Sequence, residues 1–278
     1  MNILADMHVH TKYVDGENTV FEMGKTAREK GIRLLGFSEH AYIGGSEPFG
    51  IKGEELDNYI NDVYTLRDMY PSEMLVLCGL EMENLSGFQY IDEFQLSQLD
   101  YLIGSTHALI KDGVDFAVDY TEEFLQEKVD SLYGGDWYAL VRDYYALESK
   151  VVENTDCDII GHFDLITKFN QGMKHFDENS DAYLEPALAA MDELLKADIP
   201  FEINTGAISR GYRKEPYPSA RLLKELKARG GRICINSDAH DMYFLGYGFN
   251  EAATLAMECG FETYTVYTPE GRKELSLC

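Results

Sequence analysis

The sequence predicts an α/β fold, most simply a parallel barrel of seven or eight strands, in one domain spanning 1–278. Three observations predict it. Short, nearly uninterrupted apolar runs alternate with amphipathic stretches along the whole chain, the pattern of strands covered on both faces and joined by crossover helices. The length of 278 residues fits a single barrel, with no Pro/Gly/Ser-rich linker or short-period repeat to divide it. Six of the seven histidines come at the ends of apolar runs.

The strand candidates fall at residues 3–10, 33–40, 74–83, 101–109, 157–165, 199–206 and 231–240, with 261–268 a candidate eighth. Between the first two, "NTVFEMGKTAREKG" reads as a helix with Asn18 or Thr19 as N-cap and Gly31 just past its end. "SARLLKELKARGG" has basic residues in its last turn and Gly230 as its stop. "NEAATLAMECG" ends in the same way at Gly260. The longest helical region, 120–155, is rich in Tyr, Asp and Glu and suits either a lid support or an interface.

Hydrophobic residues make up 45% of the chain and charged residues 26%, enough to bury a full core. Lys+Arg 24 against Asp+Glu 49 gives a formal charge of -25. That balance argues against a nucleic-acid backbone or an anionic membrane as partner. The five cysteines (Cys78, Cys157, Cys234, Cys259 and Cys278) are scattered without a CxxC, and those in "LVLCGLE" and "RICINSD" read as buried free thiols. With no leader pattern and no run approaching a membrane span, a cytoplasmic protein is expected. The oligomeric state stays open.

In a parallel barrel the C-terminal strand ends converge on one rim, so residues distant in sequence meet there. His8 and His10 end the first strand candidate, His40 the second, Glu81 the third, His107 the fourth, His162 the fifth, and Asp238 with His240 the seventh. One histidine after an apolar strand is commonly a hydrogen-bonded core residue, and two in an HxH could share an exposed face. The same placement at five strand ends points instead to a metal site. Imidazoles with a few carboxylates suit zinc, iron or manganese better than calcium or magnesium. The ligands are too many for one four-coordinate ion, and a carboxylate such as Glu81 can bridge two. A cluster of two or three divalent ions suits phosphoester hydrolysis, since it generates hydroxide near neutral pH and neutralises phosphoryl charge. It would also reconcile a phosphorylated substrate with so acidic a chain. His175, in the polar loop "GMKHFDEN", is expected at the surface.

"HVHT", "SEH", "GLE", "GSTH", "IIGHFDL" and "NSDAH", in that order, resemble the PHP (polymerase and histidinol phosphatase) superfamily over essentially the whole chain. "IIGHFDL" and "EINTGAISRGYRKEPYPS" look more narrowly like its monofunctional histidinol phosphatases. The resemblance implies a distorted (β/α)7 barrel with a trinuclear site. His8, His10, Glu81 and Asp238 would hold one ion, and Glu81 would bridge to a second completed by His107 and His162. Asp15, His40 and His240 would hold the third; without the resemblance, Asp15 reads as an Asp-Gly turn residue. Glu39 stands where many relatives carry Asp. The implied activity is hydrolysis of L-histidinol phosphate, a step of histidine biosynthesis.

The loop after the sixth strand carries Arg210, Arg213 and Lys214. A basic cluster in such a loop is commonly a solvated turn, but on this rim a guanidinium can grip phosphate through two donors. Arg210 is the first candidate and Arg213 the second, with Glu83 or Asp164 as candidates to receive a substrate amine or imidazole. The expected mechanism is in-line attack by a metal-bridging hydroxide, with a metal-bound water or the His240 side assisting the leaving alkoxide. Neither Cys-x5-Arg nor a glycine-lysine P-loop occurs. Three rivals remain. They are a phosphatase of this kind for phosphotyrosine, sugar or nucleotide phosphates, a non-catalytic metal-binding module, and an amidohydrolase. The last would call for a bridging lysine where Glu81 stands.

Overall fold

The structure, a computed structural model, describes residues 4–45 and 48–277; Cys278 and residue 3 of the first strand candidate lie outside them. The strands in chain order are β1 (Ala5–Asp6), β2 (Leu34–His40), β3 (Leu75–Glu83), β4 (Tyr101–Ser105), β5 (Ala108–Lys111), β6 (Val114–Ala117), β7 (Ile159–Ile160), β8 (Pro200–Asn204), β9 (Arg232–Asn236), β10 (Thr263–Thr268) and β11 (Gly271–Ser276). Seven of them form one sheet in the order β1-β2-β3-β4-β7-β8-β9, every neighbouring pair parallel. The edges almost meet. Beyond β1 and β9, Val9 and Ala239 form a parallel bridge, with His10 N donating to Ala239 O at 2.9 Å. The result is a nearly closed barrel of seven strands.

The barrel interior is filled by side chains that need specific gaps. Tyr101 crosses it and donates its hydroxyl to Met7 O (2.6 Å) and Phe37 O (3.0 Å). A Cβ at Gly36 or Gly79 would lie 2.4 or 2.6 Å from the Tyr101 side chain, so neither position accepts a larger residue.

The helices pack outside. α1 (Val20–Glu29) begins with a capping box between Thr19 and Glu22, and Gly31 follows its end at φ 81. After it come α2 (Glu54–Met69), the one-turn α3 (Glu93–Leu96), α4 (Glu122–Tyr133), α5 (Trp137–Glu148) and α6 (Val151–Thr155). α7 (Asp181–Leu194), the short α8 (Gly206–Ser209), α9 (Ala220–Ala228) and α10 (Phe249–Glu258) complete the set. The tyrosine-rich region 120–155 is therefore three helices, and its Tyr144 and Tyr145 are buried in the main core, Tyr145 bonding to the Tyr183 hydroxyl at 2.9 Å. No described helix is long and apolar enough to cross a membrane. Cys78, Cys157, Cys234 and Cys259 are buried free thiols.

Two strand expectations need correction. Residues 261–268 give no eighth barrel strand: β10 pairs antiparallel with β11 in a separate hairpin. The Val9–Ala239 bridge has already joined the sheet edges, leaving no ladder for another strand. The fourth candidate, 101–109, is also not one element. β4 stops at Ser105, and the chain enters the β5–β6 hairpin, turned by Asp112 (φ 52) and Gly113 (φ 80). Two positive φ values in a two-residue loop are what an Asp-Gly hairpin turn requires.

Candidate metal centre

Strand register brings the rim together. In the β2–β3 ladder His40 is directly opposite Glu81, and in β3–β4 Glu83 is opposite Ser105, two residues before His107. At the seam, the Val9–Ala239 bridge sets His8 and His10 beside Asp238 and His240. Asp238 has φ 51, a left-handed conformation that Asp tolerates better than most residues and that recurs at functional sites. The turn carrying Asp15 is fixed by Gly16, whose N donates to Thr11 O (2.9 Å) and where a Cβ would come within 2.7 Å of Thr11 backbone.

All nine expected metal ligands converge, around three foci. His8 Nε2 and His10 Nε2 lie 3.3 and 3.6 Å from Glu81 Oε2, and 3.8 and 3.4 Å from Asp238 Oδ1. His107 Nε2 and His162 Nε2 lie 3.3 and 2.9 Å from the other Glu81 oxygen and 3.2 Å from each other. Asp15 Oδ2 is 3.2 Å from His240 Nε2 and 3.8 Å from His40 Nε2, while His40 Nδ1 is 2.9 Å from Glu81 Oε2. Glu81 thus offers one oxygen to each of two foci.

The donor set fits divalent ions on two grounds. Ligands held about 2.0–2.1 Å from a tetrahedral ion are roughly 3.4 Å apart, close to these spacings. The second ground is orphaned atoms: His8 Nε2, both ring nitrogens of His10, and Glu81 Oε2 are buried with no hydrogen-bond partner. Partner-seeking lone pairs facing one another are unfavourable unless a cation or proton lies between them. Supporting carboxylates turn the rings. His8 Nδ1 is 2.7 Å from Glu202 Oε1, and His107 Nδ1 is 3.0 Å from Glu83 Oε2, each leaving Nε2 for the centre.

Without metal, protons take up this role. Burial opposes charge on His8, yet Glu202, Glu81 and Asp238 outweigh it and hold the imidazolium well above its usual range. Burial likewise opposes ionisation of Glu81, but His8, His107 and His40 keep it ionised well below the usual carboxylate range. Burial and the neighbouring His240 and His40 push His10 down to about 3, so it stays neutral.

Above the cluster opens a cavity of about 540 Å³. Arg210 lines it and reaches Asp238 Oδ2 through Nη2 (2.8 Å) and His240 Nδ1 through Nη1 (2.8 Å). Lys168 is a second lining cation, bonded to Asp119 through its backbone O (2.7 Å) and Oδ2 (3.2 Å). Phe49, Phe116, Leu165, Tyr120 and Tyr212 supply apolar wall, and the β5–β6 hairpin delivers Phe116 to it.

Other expected site residues are placed differently. Arg213 does not line the cavity; it is buried, with Nη1 2.7 Å and Nη2 2.9 Å from the two carboxylate oxygens of Glu178 and Nη1 2.8 Å from Thr167 O. Both its Nη groups are bound to internal acceptors and it lies away from the cavity, which removes it from phosphate binding. Lys214 is exposed and off the lining. Asp164 is buried off the cavity, accepting from Ser219 N at 3.0 Å, whereas Glu83 lines it but is engaged by His107. His175, expected at the surface, is half-buried: its ring stacks on Trp137 at 4.1 Å, with Nε2 2.7 Å from Glu122. Glu202, Lys168 and the hairpin went unread in the sequence. An isolated Glu inside the apolar run "PFEIN" and an Asp-Gly between two short β-rich runs were the available signals.

Comparison with known proteins matches the PHP domain to residues 6–206. A Deinococcus radiodurans protein named "Probable histidinol-phosphatase" is 30% identical over 273 residues, 95% of this chain and 97% of that protein. The crystal structure of hisK from Listeria monocytogenes superposes with a TM-score of 0.78 at 20% identity, over 89% of this chain and 99% of that one. That of histidinol phosphate phosphatase from Lactococcus lactis, complexed with zinc, L-histidinol and phosphate, gives 0.68 at 21% identity, over 97% and 98%. The fold is theirs, and with its rim of histidines and carboxylates this chain belongs to the PHP domain family.

Proposed function

We propose that this protein hydrolyses a small phosphomonoester, L-histidinol phosphate, to L-histidinol and phosphate. The observation that carries the reading is the convergence of His8, His10, Asp15, His40, Glu81, His107, His162, Asp238 and His240 beneath a cavity whose lining includes Arg210. Full-length similarity to a protein named as a histidinol phosphatase supports the substrate. Two or three divalent ions, of zinc, iron or manganese, are the cofactors, arranged as the three foci suggest. When bound, such ions supply a nucleophilic hydroxide near neutral pH and neutralise phosphoryl charge.

The chain's own residues do the rest. Arg210 presents a planar fork on the wall beside Asp238 and His240 and can grip two phosphoryl oxygens at once. Lys168 adds a point charge from the other basic position of the lining. Glu83 and Glu202 keep two imidazoles turned so that their Nε2 atoms face inward. The aromatic wall excludes water around the reacting centre and strengthens these charges. Asp119 makes part of the wall acidic, which suits a leaving group bearing an ammonium.

The test is phosphate release from L-histidinol phosphate by metal-replete protein, against phosphotyrosine, a sugar phosphate and a nucleotide monophosphate. A kcat/KM for histidinol phosphate several orders of magnitude above the others is expected. Equal, slow turnover across the panel would keep the metal chemistry and discard the substrate.

A further inference from the structure

Glu202, in the middle of β8, is a wholly buried carboxylate at the base of the cluster, approached on every side by donors. Its Oε1 is 2.7 Å from His8 Nδ1 and 2.8 Å from Asn236 Nδ2. Its Oε2 accepts from His162 N at 3.0 Å and Asn204 Nδ2 at 2.9 Å. A carboxylate has about four lone-pair sites, and here each is matched by a donor. The two amides are themselves oriented: Asn236 Oδ1 accepts from Met7 N (2.9 Å) and Asn204 Oδ1 from Gly206 N (2.8 Å). Neither can turn round to offer Glu202 an acceptor without abandoning a backbone donor.

Two of the four donors belong to ligand residues of different foci, the ring of His8 and the backbone of His162. From this geometry we infer that Glu202 is a positioning residue for the metal centre. With metal bound, it would keep the His8 proton on Nδ1 and so leave the Nε2 lone pair to the ion beside Glu81 and Asp238, and it fixes the segment bearing His162. The inference rests on the metal reading given above and adds a residue that never touches substrate.

The isosteric change Glu202→Gln isolates the effect. It preserves volume but puts an NH2 where only acceptors are wanted. Facing His8, the new donor forces the imidazole proton onto Nε2, where it blocks ligation. Facing His162, it leaves a buried backbone N–H unpaired.

The experiment is zinc titration of metal-free wild-type and Glu202→Gln protein against a chromogenic chelator, with bound metal counted by mass spectrometry and folding checked by circular dichroism. At least one zinc equivalent should bind about 10–100-fold more weakly in the variant, the range for loss of such a supporting partner. Wild-type stoichiometry and affinity in a folded variant would overturn the inference. If wild-type protein itself binds no zinc, the metal reading falls and takes the inference with it. A second measurement needs no variant: in wild-type protein loaded with cadmium-113 and carrying 15N-histidine, coupling should appear on His8 Nε2 with the Nδ1 proton retained. Coupling on Nδ1 would overturn the assignment even if Glu202→Gln fails to fold.

Discussion

Glu81 and His40 face each other across the β2–β3 ladder, with Oε2 and Nδ1 2.9 Å apart, and the two carboxylate oxygens of Glu81 approach His8 and His10 on one side and His107 and His162 on the other. It is therefore the residue whose loss should be felt most widely. Glu81→Gln is expected to lower bound metal by at least one ion per chain. Phosphatase activity should fall by more than the roughly 10–100-fold typical of a supporting residue. Metal analysis and kcat/KM on the same sample check this; full metal content with full activity would refute the bridging role.

Arg210 should behave as a phosphate grip with a planar requirement. Arg210→Ala is expected to reduce kcat/KM by about 10²–10³-fold, the scale for removing a donor aimed at developing charge. Arg210→Lys should recover only part of that loss, since an ammonium lacks the fork. Because Arg210 also contacts Asp238, metal content is measured alongside. A drop in metal without a rise in KM would recast it as a support for the ligand.

Arg213 should separate cleanly from its neighbour three residues earlier. It and Glu178 form a buried bidentate pair, so Arg213→Ala leaves a carboxylate stranded, at a cost of about 3–5 kcal/mol. The double change Arg213→Met with Glu178→Met should restore most of that stability. Denaturant unfolding reads both. Activity per folded molecule should stay near wild type.

Stability should also carry a signature of Glu148. Burial, with the nearby charge of Glu83 adding to it, pushes this carboxyl up to about 8 from an ordinary 4.5, although a bond from Thr106 opposes the rise. Between those two values the folded chain holds a proton that the unfolded chain has released. Stability from this group is thus full below about pH 4.5 and declines as pH rises through 8, with a slope near 1.4 kcal/mol per pH unit. Glu148→Gln should flatten that decline between pH 5 and 8. Parallel wild-type and variant curves of denaturation midpoint against pH would show that Glu148 does not titrate there.

The candidate metal site was legible because most of its proposed ligands follow apolar strands. A buried strand announces itself by composition, and a polar residue at its end, such as His107 or His162, then stands out. Asp15 sits in a turn and needed the resemblance to be noticed. Arg213 misled because a loop sequence gives no hint of Glu178, 35 positions away, waiting to take its guanidinium. His175 misled for the same reason: its polar neighbours in sequence hide the Trp137 ring against which it packs. The β10–β11 hairpin has strand composition but no vacancy in the barrel, and composition reports only the former. Lys168 sits among apolar residues after His162, and only the folded chain turns it toward the cavity.

The seam where Val9 meets Ala239 joins the two ends of the sheet, and the Met7–Asn236 bond beside it spans 229 residues. During synthesis the chain emerges from its N-terminus. His8 and His10 are therefore made about 230 residues ahead of Asp238 and His240. A ribosome must carry synthesis past residue 240 before these two histidines can meet the side chains beside which they lie across the seam. Chains halted before residue 238 would carry these histidines without Asp238 and His240, so the cluster closes only after β9 and the rim beyond it have been made.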